Sequence, residues 1–338
     1  MNSIKGYPIL LIGGGGFIGH NLALKLKQME ADVSIIDGLQ VNNLLYFSSV
    51  ESSEYNRELY IAMINQRLNS LRKANIPIFV QDCRDYLALN NLFEKIKPKV
   101  VFHLAAISHA NRSNKDPYST FDHSFRTLEN ALDCSREGVE HFIFFSSSMI
   151  YGHFTKGMVT EETTCEPIGI YGALKFGGEK LVIAYDQVFD LPYTIIRPSA
   201  LYGERCVSRR VAQIFIENAI QGKDIEISGN GNDRLDFTYI DDLTDGLIKI
   251  LENDSAKNQV LNLTYGESRS LNDLLNIVTK YFPNVNVKYL PKDKLTPDRG
   301  TLSVDKARKL IGYNPQYPLD VGLEKYINWY KDFIKLRK

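Results

Sequence analysis

Seven residues constrain this chain more than any others: Gly13-Gly14-Gly15-Gly16-Phe17-Ile18-Gly19. Before them lies the short apolar run Ile9-Leu10-Leu11-Ile12, of the kind buried in a parallel sheet. After them Phe17, Ile18, Leu22, Leu26 and Met29 recur at helical spacing. Strand, glycine loop and helix start form the setting in which a glycine motif binds phosphate. The glycines allow a tight turn and a close backbone approach to a pyrophosphate. The helix start adds free N–H groups and a positive dipole end. The plainer alternative is a glycine-rich turn with no ligand.

A second apolar run, Val33-Ser34-Ile35-Ile36, ends in Asp37. That acid stands near the roughly 20-residue spacing at which a carboxylate takes the ribose hydroxyls of NAD. Its charge repels a 2′-phosphate and so favours NAD over NADP. Further strands are expected at Ile76–Val80, Val100–Ala106 and His141–Phe145. The last leads into Ser146-Ser147-Ser148-Met149-Ile150-Tyr151-Gly152, hydroxyls where ligands bind in open α/β sheets, or else a serine-rich capping turn. His103 reads as a structural histidine at a strand end. From Tyr55 to Arg72 the pattern is helical, with no chemistry to assign to residues 38–75 beyond a packed insertion.

Bulk properties exclude several classes. The 338 residues carry 40 Lys+Arg against 40 Asp+Glu, so no general charge draws the chain to nucleic acid or an anionic membrane. No apolar run reaches the roughly 18 residues of a membrane span, and no secretory leader is evident. Cys83, Cys134, Cys165 and Cys206 form no metal-type pair, so no metal is expected. They read as reduced thiols of a cytoplasmic protein.

Tyr171 and Lys175 stand four apart in Ile170-Tyr171-Gly172-Ala173-Leu174-Lys175, on one face of an expected helix. An ammonium beside a phenol favours the phenolate and makes the tyrosine a usable base. Alone, the pair is a weak signal, and the plainer reading is one exposed helix turn.

Together the glycine loop, the acid after strand two, the serine cluster and Tyr-x-x-x-Lys resemble one family. It is the extended short-chain dehydrogenase/reductases, in the nucleotide-sugar epimerase/dehydratase branch. The resemblance runs from about Ile9 to about Pro315. It implies an α/β fold: a Rossmann-type doubly wound parallel sheet with a smaller, interleaved C-terminal substrate lobe. Residues 1–200 would form the NAD-binding domain and 201–338 mainly the lobe, with some segments returning to the sheet.

The resemblance also implies roles. NAD would be held by Gly13, Gly16, Phe17, Ile18, Gly19, Asp37, Asp82, Cys83, Leu104, Ala105, Ala106, Tyr171, Lys175 and Pro198. Tyr171 would be the catalytic base and Lys175 the residue that lowers its pKa. Ser147, four residues before Tyr151, would share the substrate hydroxyl. Arg197-Pro198 and Tyr202-Gly203 match the turn that leads to the lobe. A nucleotide-diphosphate sugar would meet Ser108, Ser147 and Ser148, and some of Arg205, Arg209, Arg210, Arg234 and Arg299. A homodimer is implied, through the Tyr171–Asp186 helix and the one before strand five.

The sequence departs from the family pattern at Ile12, Leu174 and Ala200, and its arginine at 234 stands one place early. The 4,6-dehydratases place Asp-Glu after the catalytic Ser/Thr; here Ser148 and Met149 stand there, and methionine transfers no proton. Against that, the loop from His103 to Ser113 looks closer to the dehydratase version. The leading expectation is an NAD-dependent epimerase acting at C4 through a keto-sugar. A 4,6-dehydratase, a dehydrogenase/reductase and a non-catalytic NAD-binding regulator are the alternatives. In the C-terminal part, helices are expected at Val211–Gln221, Leu271–Tyr281 and Val304–Ile311 and a strand at Val260–Leu263. Asp241 or Asp242 is expected to cap a helix.

Overall fold

The computed structural model describes residues 4–49, 56–108, 110–154, 157–292 and 297–336. The order along the chain is β1 (Pro8–Ile12), α1 (Phe17–Gln28), β2 (Asp32–Ile36), α2 (Arg57–Lys73), β3 (Ile78–Phe79), α3 (Tyr86–Ile96), β4 (Val100–His103), α4 (Thr127–Cys134), β5 (His141–Phe145), α5 (Gly169–Phe189) and β6 (Tyr193–Arg197). There follow α6 (Val211–Ile220), α7 (Ile240–Glu252), β7 (Gln259–Asn262), α8 (Leu271–Tyr281) and α9 (Leu319–Lys335). Shorter elements connect them.

The seven strands form one sheet in the order β7-β6-β5-β4-β1-β2-β3, every pair parallel. Such a sheet is covered on both faces, which is why its strands are apolar throughout rather than alternating. Ile9 to Ile12, Val100 to Phe102 and Ile143 are all fully buried. Consecutive crossovers run one way from β1 to β3 and the other way from β4 to β7, so the order reverses between β1 and β4. Ligands bind beyond the carboxyl ends of the strands at such a switch point. Register makes that edge level: Ile12 lies opposite both Ile36 and His103, and His103 opposite Phe144. Gly13, Asp37, Leu104 and the serine cluster therefore emerge at one edge.

Residues after 200 are not a separate layer. β7 pairs with β6 and closes that end of the sheet. The remaining segments form two-stranded pieces, Arg234–Asp236 with Ser268–Ser270 and Ile225–Ser228 with Val287–Leu290, packed with α6 and α8.

Several expected elements shift. β3 is only Ile78–Phe79, because it is the edge strand and pairs only with Ile35 and Ile36. β4 ends at His103, where the backbone of Leu104 still donates to Ile12 before the chain turns away. α2 begins at Arg57; Tyr55, the expected start, lies outside the described residues, as does residue 109 of the His103–Ser113 loop. The expected cap at Asp241 or Asp242 is corrected: Tyr239 caps α7, and both acids lie in its first turn, where the dipole favours them. Asp242 is spent on a tertiary bond instead, accepting from the backbone N–H of Gln316 and Tyr317. Leu271–Tyr281 forms as the spacing predicts, started by a capping box between Ser270 and Asp273.

Candidate active site

Two clefts open along the carboxyl edge of the sheet. The first is built on the glycine loop. Gly13 has φ of +80°, and a Cβ there would lie 2.7 Å from the backbone nitrogen of Ala105. Only glycine allows the chain leaving β1 to pass so close to the chain leaving β4. A Cβ on Gly19 would fall 2.5 Å from the Cα of Gly14, so that glycine lets α1 rest directly on the loop. The cleft is lined by Gly13, Gly16, Phe17, Ile18, Gly19, Asp37, Asp82, Cys83, Leu104, Ala105 and Ala106, with Gln40, Asn42, Arg67, Ser108, Cys206, Ser208 and Arg210 among the rest.

Asp37 accepts from the backbone N–H of Gly15 at 2.9 Å and of Leu39 at 2.7 Å. Burial pushes its carboxyl above the ordinary range, and the two N–H groups pull it back towards the ion. Asp82 is held well below the usual carboxylate range, chiefly by the Arg84 guanidinium that clasps it, and it accepts from Gln40 Nε2 at 3.0 Å. Burial pushes the Cys83 thiol up, which leaves it a neutral wall.

The second cleft, about 350 Å³ against about 170 Å³ for the first, is in the size range of small-molecule sites. Ser147, Ser148, Tyr171, Lys175 and Pro198 line it, with Ser108, Asn111, Met149, Ala200, Arg209, Arg210, Leu235, Phe237 and Arg299. Ile18, Leu104, Ala106, Ser108, Leu201 and Arg210 line both clefts, so the two share a wall. Among the described residues no Asp, Glu or His lines the second cleft. Its charges are cationic.

Local structure fixes each side chain. Ser147 caps the turn Ser148–Tyr151, its Oγ accepting from the Met149 N–H at 3.2 Å. α5 is pinned beside that turn: the Ile170 N–H donates to Asn114 Oδ1 at 3.0 Å, and a Cβ on Gly172 would lie 2.9 Å from the Met149 carbonyl. Along α5, positions 171, 175 and 179 lie on one face. Tyr171 is half-buried. The buried Lys175 Nζ donates to the Phe145 carbonyl at 2.6 Å and lies over the Phe144 ring. Burial pushes its pKa down to about 8. Glu179 pairs with Arg197 through two bonds of 3.0 and 2.8 Å. Arg197 also donates to Tyr151 Oη at 2.8 Å, so it braces the floor and lines neither cleft. His103 is buried between Phe142 and Phe144, with burial holding it neutral at about 3.

The arginines divide. Arg209, Arg210 and Arg299 line the second cleft. Arg299 Nε has no hydrogen-bond partner among the described residues, and burial and the neighbouring Arg210 push its pKa down to about 10. Arg210 donates to the Ser108 carbonyl at 2.7 Å. Arg205 and Arg234 line neither cleft. Arg205 Nε donates to His20 Nε2 at 3.1 Å, and its guanidinium lies over Trp329. Arg234 is folded back on Ser268, donating to its Oγ at 3.0 Å and to its carbonyl. Sequence reasoning passed over Arg67 and the Gln40–Asn42 stretch, which lie in the unassigned 38–75 segment and line the first cleft. One signal was present: Arg67 stands on the stripe Tyr60, Met63, Ile64, Leu71 that α2 buries.

Residues 9–264 match the family described as the NAD dependent epimerase/dehydratase family. The chain is 29% identical over 335 residues to a putative UDP-glucose 4-epimerase of Methanocaldococcus jannaschii, covering 96% of this chain and 98% of that one. It is 28% identical to the UDP-glucuronate 4-epimerase of Thermodesulfobacterium geofontis, over 80% of this chain and 85% of the relative. A solved structure of the UDP-glucuronic acid 4-epimerase of Bacillus cereus, in complex with UDP-glucuronic acid and NAD, superposes with a TM-score of 0.86 at 26% identity. It covers 96% of this chain and 99% of its own. The glycine cradle and the carboxylate at Asp37 suit that dinucleotide. With the match spanning most of the sheet and both clefts, the chain belongs to the NAD dependent epimerase/dehydratase family.

Proposed function

We propose that the chain is an NAD-dependent epimerase of nucleotide-diphosphate sugars, acting at C4 through a transient keto-sugar. The observation that carries this reading is the second cleft. It brings Ser147, Tyr171 and Lys175 together in a cleft that shares the wall of Ile18, Leu104, Ala106, Ser108, Leu201 and Arg210 with the dinucleotide cleft, supplies cations, and holds no carboxylate among its described lining residues. Elimination of water would need a further acid and base, and Met149 stands where one would be required.

Gly13, Gly16, Phe17, Ile18 and Gly19 would hold the pyrophosphate of NAD, Asp37 a ribose diol, and Asp82, Cys83, Leu104, Ala105, Ala106 and Pro198 its walls. When bound, NAD⁺ supplies the capacity to take a hydrogen with its electron pair from the sugar carbon and to give it back. Tyr171 Oη takes the proton of the sugar hydroxyl and later returns it. Ser147 Oγ shares that hydroxyl and fixes its direction. The Lys175 ammonium, held by the Phe145 carbonyl, stands one helix turn from Tyr171 on the same face of α5. Arg209, Arg210 and Arg299 take the diphosphate, for which guanidinium forks are suited, and Ser108 and Ser148 the sugar hydroxyls. Arg205 and Arg234 serve the architecture instead. Relatives named for UDP-glucose and UDP-glucuronate make UDP-sugars the first substrates to try. Residues 1–200 carry mainly the cofactor and the rest mainly the substrate. A homodimer through α5 and the helices before β5 belongs to the same proposal, as does a cytoplasmic setting, which four unpaired cysteines suit.

The test is a product screen. Protein and NAD⁺ are incubated with UDP-, GDP-, CDP- and dTDP-sugars, and each product is examined by mass and proton NMR. The expected product has unchanged mass and altered sugar couplings, and Tyr171→Phe lowers turnover by about 10²-fold or more. A product lighter by one water would make this a dehydratase and overturn the proposal.

A further inference from the structure

We propose that Arg67, carried by α2 in the segment between β2 and β3, binds the pyrophosphate of the dinucleotide and offsets one of its two negative charges. The proposal rests on the first cleft being the cofactor site. Arg67 is 1% exposed, yet it lines that cleft. Its Nε donates to the Arg205 carbonyl at 2.9 Å, and its Nη2 donates to the same oxygen. Nη1 has no hydrogen-bond partner among the described residues, and no described carboxylate lies within ion-pairing distance of the guanidinium. A buried cation that meets only a carbonyl is costly unless an anion completes it.

The surroundings sharpen the need. Arg205 is a second guanidinium in the same corner, in the left-handed region at φ +62°. It donates to His20 Nε2, and the other ring nitrogen of His20 bonds the Gly16 carbonyl at 2.9 Å. His20 therefore donates through Nδ1, accepts through Nε2 and stays neutral. The positive end of α1 adds to the field at Gly16. The carboxylate whose charge Arg67 feels, Asp37, is already engaged by two N–H groups. Arg67, Arg205, His20 and Gly16 thus form a chain of contacts from α2 to the phosphate loop. The chain ends at the loop that receives a pyrophosphate rather than at the ribose. A 2′-phosphate would instead have to sit against Asp37.

Calorimetric titration of the purified protein with adenosine, ADP, NAD⁺ and NADP⁺, for wild type, Arg67→Met and Arg67→Lys, tests this. The expected result is a loss of about 10- to 100-fold in ADP and NAD⁺ affinity for Arg67→Met, with adenosine changed less than about 3-fold. Arg67→Lys, which keeps a positive charge but not the fork, loses several-fold for ADP and NAD⁺ only, and carries the test alone if the methionine variant does not fold. Unchanged ADP binding, or an equal loss for adenosine, overturns the proposal, the latter meaning that Arg67 only shapes the wall. A loss confined to NADP⁺ overturns it too. If wild type binds none of the four, the cofactor reading itself falls, and the proposal with it.

Discussion

The ammonium of Lys175 bears on stability and, in the proposed mechanism, on chemistry. It is buried, its Nζ bonds a single carbonyl, and burial lowers its pKa from 10.5 to about 8. The unfolded chain keeps that proton to about 10.5 while the folded chain keeps it only to about 8. Between those values the unfolded state binds more protons, so this group makes stability rise with pH. Denaturant unfolding at pH 7.5 and 9.5 should show wild type gaining about 2 kcal/mol more than Lys175→Met over that interval. Equal gains in the two proteins would mean that the lysine is solvated. Turnover should run the other way: in the proposed mechanism Lys175 acts as an ammonium, and it loses that charge above about pH 8. These residues were legible in the sequence because a loop or one helix turn fixes their spacing. The arginines were not, because whether Arg205 or Arg210 reaches a cleft depends on a left-handed residue and on what His20 and Ser108 offer.

Between elements, the decisive contact is a carboxylate with no catalytic part. Glu217 of α6 is 3% exposed and has four donors: Asn56 Nδ2 at 2.6 Å, Tyr60 Oη at 2.7 Å, Gln213 Nε2 at 2.8 Å and Tyr330 Oη at 2.6 Å. It thereby ties α6 to α2 and α9, helices distant in sequence. The described part of residues 38–75 from Asn56 to Lys73 is thus an integral wall of the molecule rather than a surface insertion. Little local marks this, since three of the four partners, Asn56, Tyr60 and Tyr330, lie 113 to 161 residues from Glu217 and only Gln213 is a helix neighbour. Glu217→Ala leaves buried donors unmet and should cost about 2–4 kcal/mol in denaturant unfolding. Glu217→Gln, which keeps the shape and can pair with hydroxyls that turn to accept, should cost less than half of that. Equal losses would point to packing alone.

For the whole molecule, most of the sheet was legible because buried strands announce themselves as apolar runs, the edge strand β3 included though it is shorter than expected, whereas the fully buried β6 was not read as a strand, its Ile195 and Ile196 being flanked by Thr194 and Arg197. Association is a different matter, since it depends on what is left outside. Val188 and Phe189 at the end of α5 are 68% and 40% exposed, and Tyr118 and Phe121, in the short helix Pro117–Phe121 against α5, are 85% and 43% exposed. Large exposed apolar side chains on adjoining helices suit a subunit interface. Light scattering at micromolar concentration should give twice the 38.5 kDa of one chain. The single-chain mass would contradict the dimer.

The return of β7 to the sheet governs how the molecule is made. In space β7 covers the edge of β6, but in sequence it follows Arg197 only at Gln259. On the ribosome, about sixty residues must be added in the meantime, which takes several seconds. For that interval six strands exist and the outer edge of β6 is bare, a template for pairing with another chain. The nascent protein is therefore most vulnerable after β6 is spelled out and before β7 is. A chaperone that acts late in synthesis, or a slow stretch placed elsewhere than between Arg197 and Gln259, would raise the yield of the folded protein.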